Sequence, residues 1–138
     1  MIGLDTNILA RYYIQDESDK EAEKQHQIAR KLIESEPALM VCKTVLLEFE
    51  WVMRGYYHFT TEEILAVFQH LLSLGNVTLE DRATLEKAIA NFGLGFDFAD
   101  ALHHASYQNC ERVVSFDDKK FARKAVRIGL NPVVIVPK

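Results

Sequence analysis

The sequence predicts an α/β fold built on a parallel sheet, and three observations support this. Short β-rich runs alternate with helical patterns, the signature of parallel βαβ units rather than of a sandwich or a bundle. A length of 138 residues with 49% apolar content suits one compact core and is too short for two ordinary ones. The opening MIGLDTNILARYY carries a short apolar strand straight into a helix, which places Asp5 at the carboxyl edge of the sheet, where ligands collect in such folds. A single domain over residues 1–138 is expected, with no repeat and no linker; at most, a helical hairpin between Thr44 and Gly75 projects from it.

Five strands are expected: Ile2 to Leu4, Leu39 to Cys42, Val77 to Leu79, Arg112 to Ser115 and Val133 to Val136. Between the first two, Asp19 to Glu34 reads as a helix capped by Asp19, because Ala22, His26, Ala29 and Leu32 or Ile33 recur at three- or four-residue steps among charges. Thr44 is expected to cap a helix running to about Tyr56, with Gly55 near the following turn. Thr60 or Thr61 opens the next helix, where Thr60-x-x-Glu63 forms a capping box and Gly75 marks the end. Asp81 starts a helix that fades at Gly93-Leu94-Gly95, and Asp97 starts another that reaches Asn109. Asp117 or Asp118 starts the last helix, which ends at Gly129 before Pro132 leads into the final strand.

Composition removes several classes of function. No run approaches the roughly 18 apolar residues of a membrane helix, and the N-terminus lacks a signal-peptide pattern, so a cytoplasmic protein is expected. Cys42 and Cys110 have no CxxC or zinc-like spacing and read as reduced, mostly buried thiols without a role. A net charge of −4 argues against holding nucleic acid by bulk positive field, although a local basic patch or a bound cation reverses the sign where it matters.

Four acids stand out on this framework. Asp5 and Asp117 each follow a strand directly, while Glu48 and Asp100 lie early in helices that should start on the same side of the sheet. Crowded carboxylates repel and raise one another's pKa unless a hard divalent cation neutralises them. Oxygen ligands alone suit Mg²⁺ or Mn²⁺, and a metal-activated water suits phosphodiester hydrolysis. Each acid also has a plainer reading: Asp100 and Asp117 taken singly fit helix caps or first-turn stabilisers, and Asp5 fits a cap equally well. Glu48 lies in LLEFEW among residues that must pack, where an acid needs a partner or a metal, whereas Glu50 reads as solvated. Asp97 reads as the cap of the helix carrying Asp100, with an outer contribution to the site.

The segments GLDTNILARYY, TVLLEFEWVMRGYY, DFADALHHASYQNC and VVSFDDKKFAR, in that order and spacing, resemble the PIN-domain ribonucleases, and among them the VapC-type toxins of toxin-antitoxin pairs. The likeness spans essentially the whole chain. It implies a PIN-like three-layer fold with a central, mostly parallel sheet of four to five strands, flanking helices and a helical hairpin. It further implies metal-binding catalytic acids at Asp5, Glu48, Asp100 and Asp117, holding Mg²⁺ or Mn²⁺, with Asp97 assisting. Where relatives usually place Thr two residues before the last acid, this chain has Ser115, which keeps the hydroxyl for a hydrogen bond in the site. The implied activity is endoribonuclease cleavage of a structured RNA, leaving 5′-phosphate and 3′-hydroxyl ends. The implied partners are a cognate antitoxin, whose C-terminal segment blocks the acidic pocket, and a second copy in a homodimer; no membrane is involved.

Asn7 either orients the carboxylates or caps the first helix, and Thr6 has the same two readings. Arg11, Lys43, Lys119, Lys120, Arg123 and Lys124 form either a phosphate-binding rim or a solvated face. Adjacent His103 and His104 point in different directions on a helix, and neither is expected to act. Trp51, Tyr56, Tyr57 and Phe59 read as core or dimer contact, with base stacking secondary. The competing functions are a catalytically silent RNA- or antitoxin-binding module and a small Mg-dependent phosphatase. The phosphatase pattern wants a second Asp where Asn7 stands. A phosphoacceptor receiver domain fails because the strand at Leu39 to Cys42 leads into Lys43-Thr44 instead of an Asp.

Overall fold

A computed structural model describes all of residues 1–138, and its contacts divide the chain into two compact units, Met1–Arg82 and Ala83–Lys138. All five expected strands form, each ending within one residue of its expected limit, and every pairing is parallel. They group as a ladder of three in the first unit and a ladder of two in the second.

In the first unit, β1 (Ile2–Gly3), β2 (Leu39–Val41) and β3 (Val77–Leu79) lie in sequence order. The central strand carries the burial, with Leu39 and Val41 fully enclosed. Register is fixed beyond the ladder by Asn76, whose side-chain amide donates to the carbonyls of Ile33 and Glu36 at 2.8 and 2.9 Å, joining the end of one helix to the start of β3. The helices are α1 (Thr6–Tyr13), α2 (Lys20–Ser35), α3 (Lys43–Trp51) and α4 (Thr61–Ser73). Asp19 caps α2 through the Glu21 amide at 2.9 Å, and Ala22, His26, Ala29 and Ile33 form its buried stripe, as the periodicity predicts. Thr60 and Glu63 form the capping box of α4 with both reciprocal bonds, at 3.2 and 2.9 Å.

Other expectations are corrected. Cys42, not Thr44, occupies the cap of α3, without a side-chain capping bond to the helix, which begins at Lys43. The thiol is half-buried and Cys110 is exposed, so neither is the buried cysteine expected. Thr44 instead places its hydroxyl 3.3 Å from the Cys42 sulfur, and this bond heads the interactions that lower the thiol's pKa. Beyond Trp51 the helix widens into a π turn over Val52–Tyr56. The reversal into α4 uses His58 in the left-handed region at φ 59°, while Gly55 sits inside the π turn beneath the Trp51 indole. Trp51 and Tyr56 are 57% and 70% exposed, so they are not core.

In the second unit, α5 (Arg82–Gly93), which begins at the boundary, leads through Gly95 at φ 103° to α6 (Phe98–Ser106). This helix stops three residues short of the expected Asn109. β4 (Arg112–Val114) pairs with β5 (Val133–Ile135), and a π turn over Asp118–Ala122 runs into α7 (Arg123–Ile128), closed by Gly129 at φ 80°. His104 is fully buried, and its Nε2 donates to the Pro132 carbonyl at 2.8 Å, tying α6 to the start of β5. That structural bond is what the second histidine of the pair does.

Candidate active site

In the first unit, Asp5 leaves β1 and caps α1: its backbone is extended, and Oδ1 accepts from the Thr6 amide at 2.8 Å. The cap reading is therefore correct, and it leaves the second carboxylate oxygen unused on an exposed residue. Thr6 has its hydroxyl buried without a partner, and Asn7 sits exposed in the first turn, so neither of them is the cap.

On α3 the two glutamates exchange their expected environments. Glu48 is exposed and forms no ion pair, while Glu50 is 2% exposed and is gripped by Arg54, with Nε–Oε2 at 2.9 Å and Nη2–Oε1 at 3.3 Å. Helix phase decides this. Leu46, Phe49, Glu50 and Met53 follow the three- and four-residue steps of the buried stripe, and Glu48 falls on the opposite face. The signal was present in the sequence, because Glu50 and Arg54 have the i,i+4 spacing of an intrahelical ion pair.

In the second unit, Asp97 caps α6 by accepting from the Asp100 amide at 3.2 Å. Asp117 follows β4 by way of Ser115 and caps the π turn through the Lys120 amide at 3.0 Å. Ser115 continues the ladder by donating its amide to the Ile135 carbonyl, and its hydroxyl accepts from the Asp117 amide at 3.0 Å. The hydroxyl thus fixes the residue that carries the last acid. Burial first, and then the charges of Asp97 and Asp117, raise the Asp100 carboxyl above its ordinary value, with His103 opposing them. Asp100 therefore feels the charges of Asp97 and Asp117. No three carboxylates, imidazoles or thiols stand close enough together to form a ready-made metal cage.

The basic residues sort themselves by partner. Arg11 donates to Gln25, Lys43 pairs with Asp81 at 3.4 Å, Arg123 pairs with Asp118 at 2.7 Å, and Lys124 donates to the Gly95 carbonyl while lying over the Phe96 ring. Lys119 and Lys120 are exposed beside Asp117 in the chain.

The family model for the PIN domain matches residues 2–127. This chain is a PIN domain. The match runs through both units and takes in every acid discussed above. Among solved structures, VapC20 of Mycobacterium tuberculosis, a toxin that cleaves the sarcin-ricin loop, aligns at 19% identity with a TM-score of 0.44, over 99% of this chain and 100% of its own. No curated protein matches the sequence. No helix of this PIN domain is long and apolar enough to cross a membrane.

Proposed function

We propose that this PIN domain is a metal-dependent endoribonuclease of the VapC type, the toxin of a toxin-antitoxin pair, acting as a single domain over residues 1–138. The observation that carries the reading is the raised Asp100 carboxyl, half-buried and facing the charges of Asp97 and Asp117, an all-oxygen set that His103 opposes without cancelling. Such a donor set fits a hard cation, Mg²⁺ or Mn²⁺, and does not fit a thiophilic metal. The acids proposed to hold it are Asp5, Glu48, Asp100 and Asp117. When bound, the cation supplies an activated water and stabilises charge developing on the phosphate.

The chain's own residues do the positioning. Asp97 holds the first turn of α6 and with it Asp100, and Ser115 holds the Asp117 backbone. Asp5 is rigid because its cap bond fixes one oxygen, leaving the other for a ligand. Lys119 and Lys120 offer exposed ammonium groups to RNA phosphates. A homodimer and an antitoxin that blocks the acidic pocket complete the proposal, and a cationic side chain suits that pocket because it replaces the metal's charge.

A second reading, a PIN-fold module that binds RNA or antitoxin without cutting, draws on the lack of a ready-made three-ligand cage. Incubating the purified protein with defined RNAs, with and without Mn²⁺, separates the two. Metal-dependent cleavage with 5′-phosphate ends is expected; cleavage that survives EDTA, or that persists in Asp5→Asn, refutes the metal site.

A further inference from the structure

In the first unit, α1, α2 and α4 line a hollow of about 440 Å³, inside the roughly 300–1,000 Å³ range of small-ligand sites. Three rings shape it. Tyr12 and His70 are tilted by 31° to each other, with centroids 6.3 Å apart. Tyr13 stands edge-on to both, at 83° to Tyr12 and 82° to His70, with centroids 4.8 and 5.5 Å away, so the three rings form one cluster on the wall.

The polar groups are fixed as well. The Tyr13 hydroxyl is hydrogen-bonded to His70 Nδ1 at 2.8 Å, and burial raises that phenol well above its usual range, so it stays protonated. This bond locks the His70 wall in place. His26 is buried and donates Nδ1–H to the Arg11 carbonyl at 2.7 Å, which leaves its Nε2 as an acceptor without a protein partner. Arg30 and Glu34, paired at 3.2 Å on the exposed side of α2, also line the hollow, and the guanidinium has donors to spare. An aromatic-lined hollow with one oriented acceptor and a nearby guanidinium matches a flat, amino-bearing heterocycle attached to an anion.

We propose that this hollow binds an amino-bearing nucleobase, stacked against its aromatic lining at Tyr12 and His70, with His26 Nε2 accepting from the base and Arg30 meeting its phosphate. Glycosidic attachment to an RNA strand and to a free nucleotide present the same chemistry. The inference rests on the proposed function only if the strand is the natural source, because the site itself needs neither metal nor cleavage.

Protein-observed NMR in EDTA keeps the test independent of nuclease activity. Adenosine 5′-monophosphate should shift the ring resonances of Tyr12 and His70 saturably, and ribose 5-phosphate should not. Base–aromatic stacking predicts that Tyr12→Ala weakens the nucleotide roughly 5- to 150-fold. Ala66→Trp, which fills the hollow from an exposed position, should abolish binding while circular dichroism confirms the fold. In a further arm, a short single-stranded RNA that loses affinity when one base is removed assigns the site to the strand. Binding of the nucleotide but not of the RNA assigns it to free nucleotide, and both results support the site. The proposal is overturned if ribose 5-phosphate reproduces the shifts, if millimolar nucleotide leaves the rings unmoved, as a seat for a protein helix would, or if folded Ala66→Trp binds like the parent.

Discussion

The two glutamates of α3 give the sharpest test, because burial places them in opposite environments. Arg54→Met should destabilise the chain strongly. Glu50 is 2% exposed and Arg54 is 48% exposed, so removing the arginine strands a buried carboxylate, whereas removing the carboxylate leaves a guanidinium that reaches water. Breaking a fully buried pair by deleting one partner costs about 3–5 kcal/mol. Because half of the Arg54 side chain is solvated, that figure falls to about 2–3 kcal/mol for Arg54→Met. Glu50→Gln keeps an acceptor against Arg54 and should cost only about 1 kcal/mol. Glu48→Gln alters an exposed side chain and should change stability by less than about 0.5 kcal/mol, yet it should abolish RNA cleavage. Urea unfolding at constant slope measures the first three quantities, and a fluorogenic RNA with Mn²⁺ measures the last. The reasoning fails if Glu50→Gln costs as much as Arg54→Met, or if Glu48→Gln retains cleavage.

Asp5→Asn should fold normally and lose activity, since asparagine is as good a cap as aspartate; a metal-free melting point several degrees lower would make Asp5 a purely structural group. Ser115→Ala should reduce cleavage severalfold by loosening the Asp117 backbone, with stability lowered by about 0.5 kcal/mol for one exposed hydrogen bond, and Ser115→Thr should restore the rate; an unchanged rate in the alanine variant removes the role. Asp100 has its carboxyl raised in the folded chain, so the native state holds that proton more tightly than the unfolded one. Its contribution to stability therefore declines as pH rises from the ordinary carboxylate range through the raised value. Metal-free Asp100→Asn should accordingly melt at or above the parent at neutral pH and lose that part of the pH dependence, and a lower melting point at neutral pH would contradict the repulsion.

Local chemistry made much of this protein legible in its sequence. The five strands, the Asp19 cap, the Thr60–Glu63 box and the Gly95 and Gly129 stops are each written within a few residues, because backbone geometry and hydrogen bonding over one turn decide them. Asp97, Asp117 and Ser115 were legible for the same reason: their bonds reach only two or three residues along the chain. Burial was not written locally. Both α3 glutamates sit amid apolar neighbours, and although the i,i+4 spacing of Glu50 and Arg54 marks a possible pair, packing against the rest of the unit decided that this face turned inward and Glu48 met water. The grouping of strands into ladders of three and two, the burial of His104 against Pro132, and the meeting of Tyr13 with His70 across 57 positions were likewise decided by tertiary structure. Sequence patterns fix which residues can form a turn or a cap, but contacts between distant segments are chosen by the packing of whole faces, a property no short stretch of chain contains.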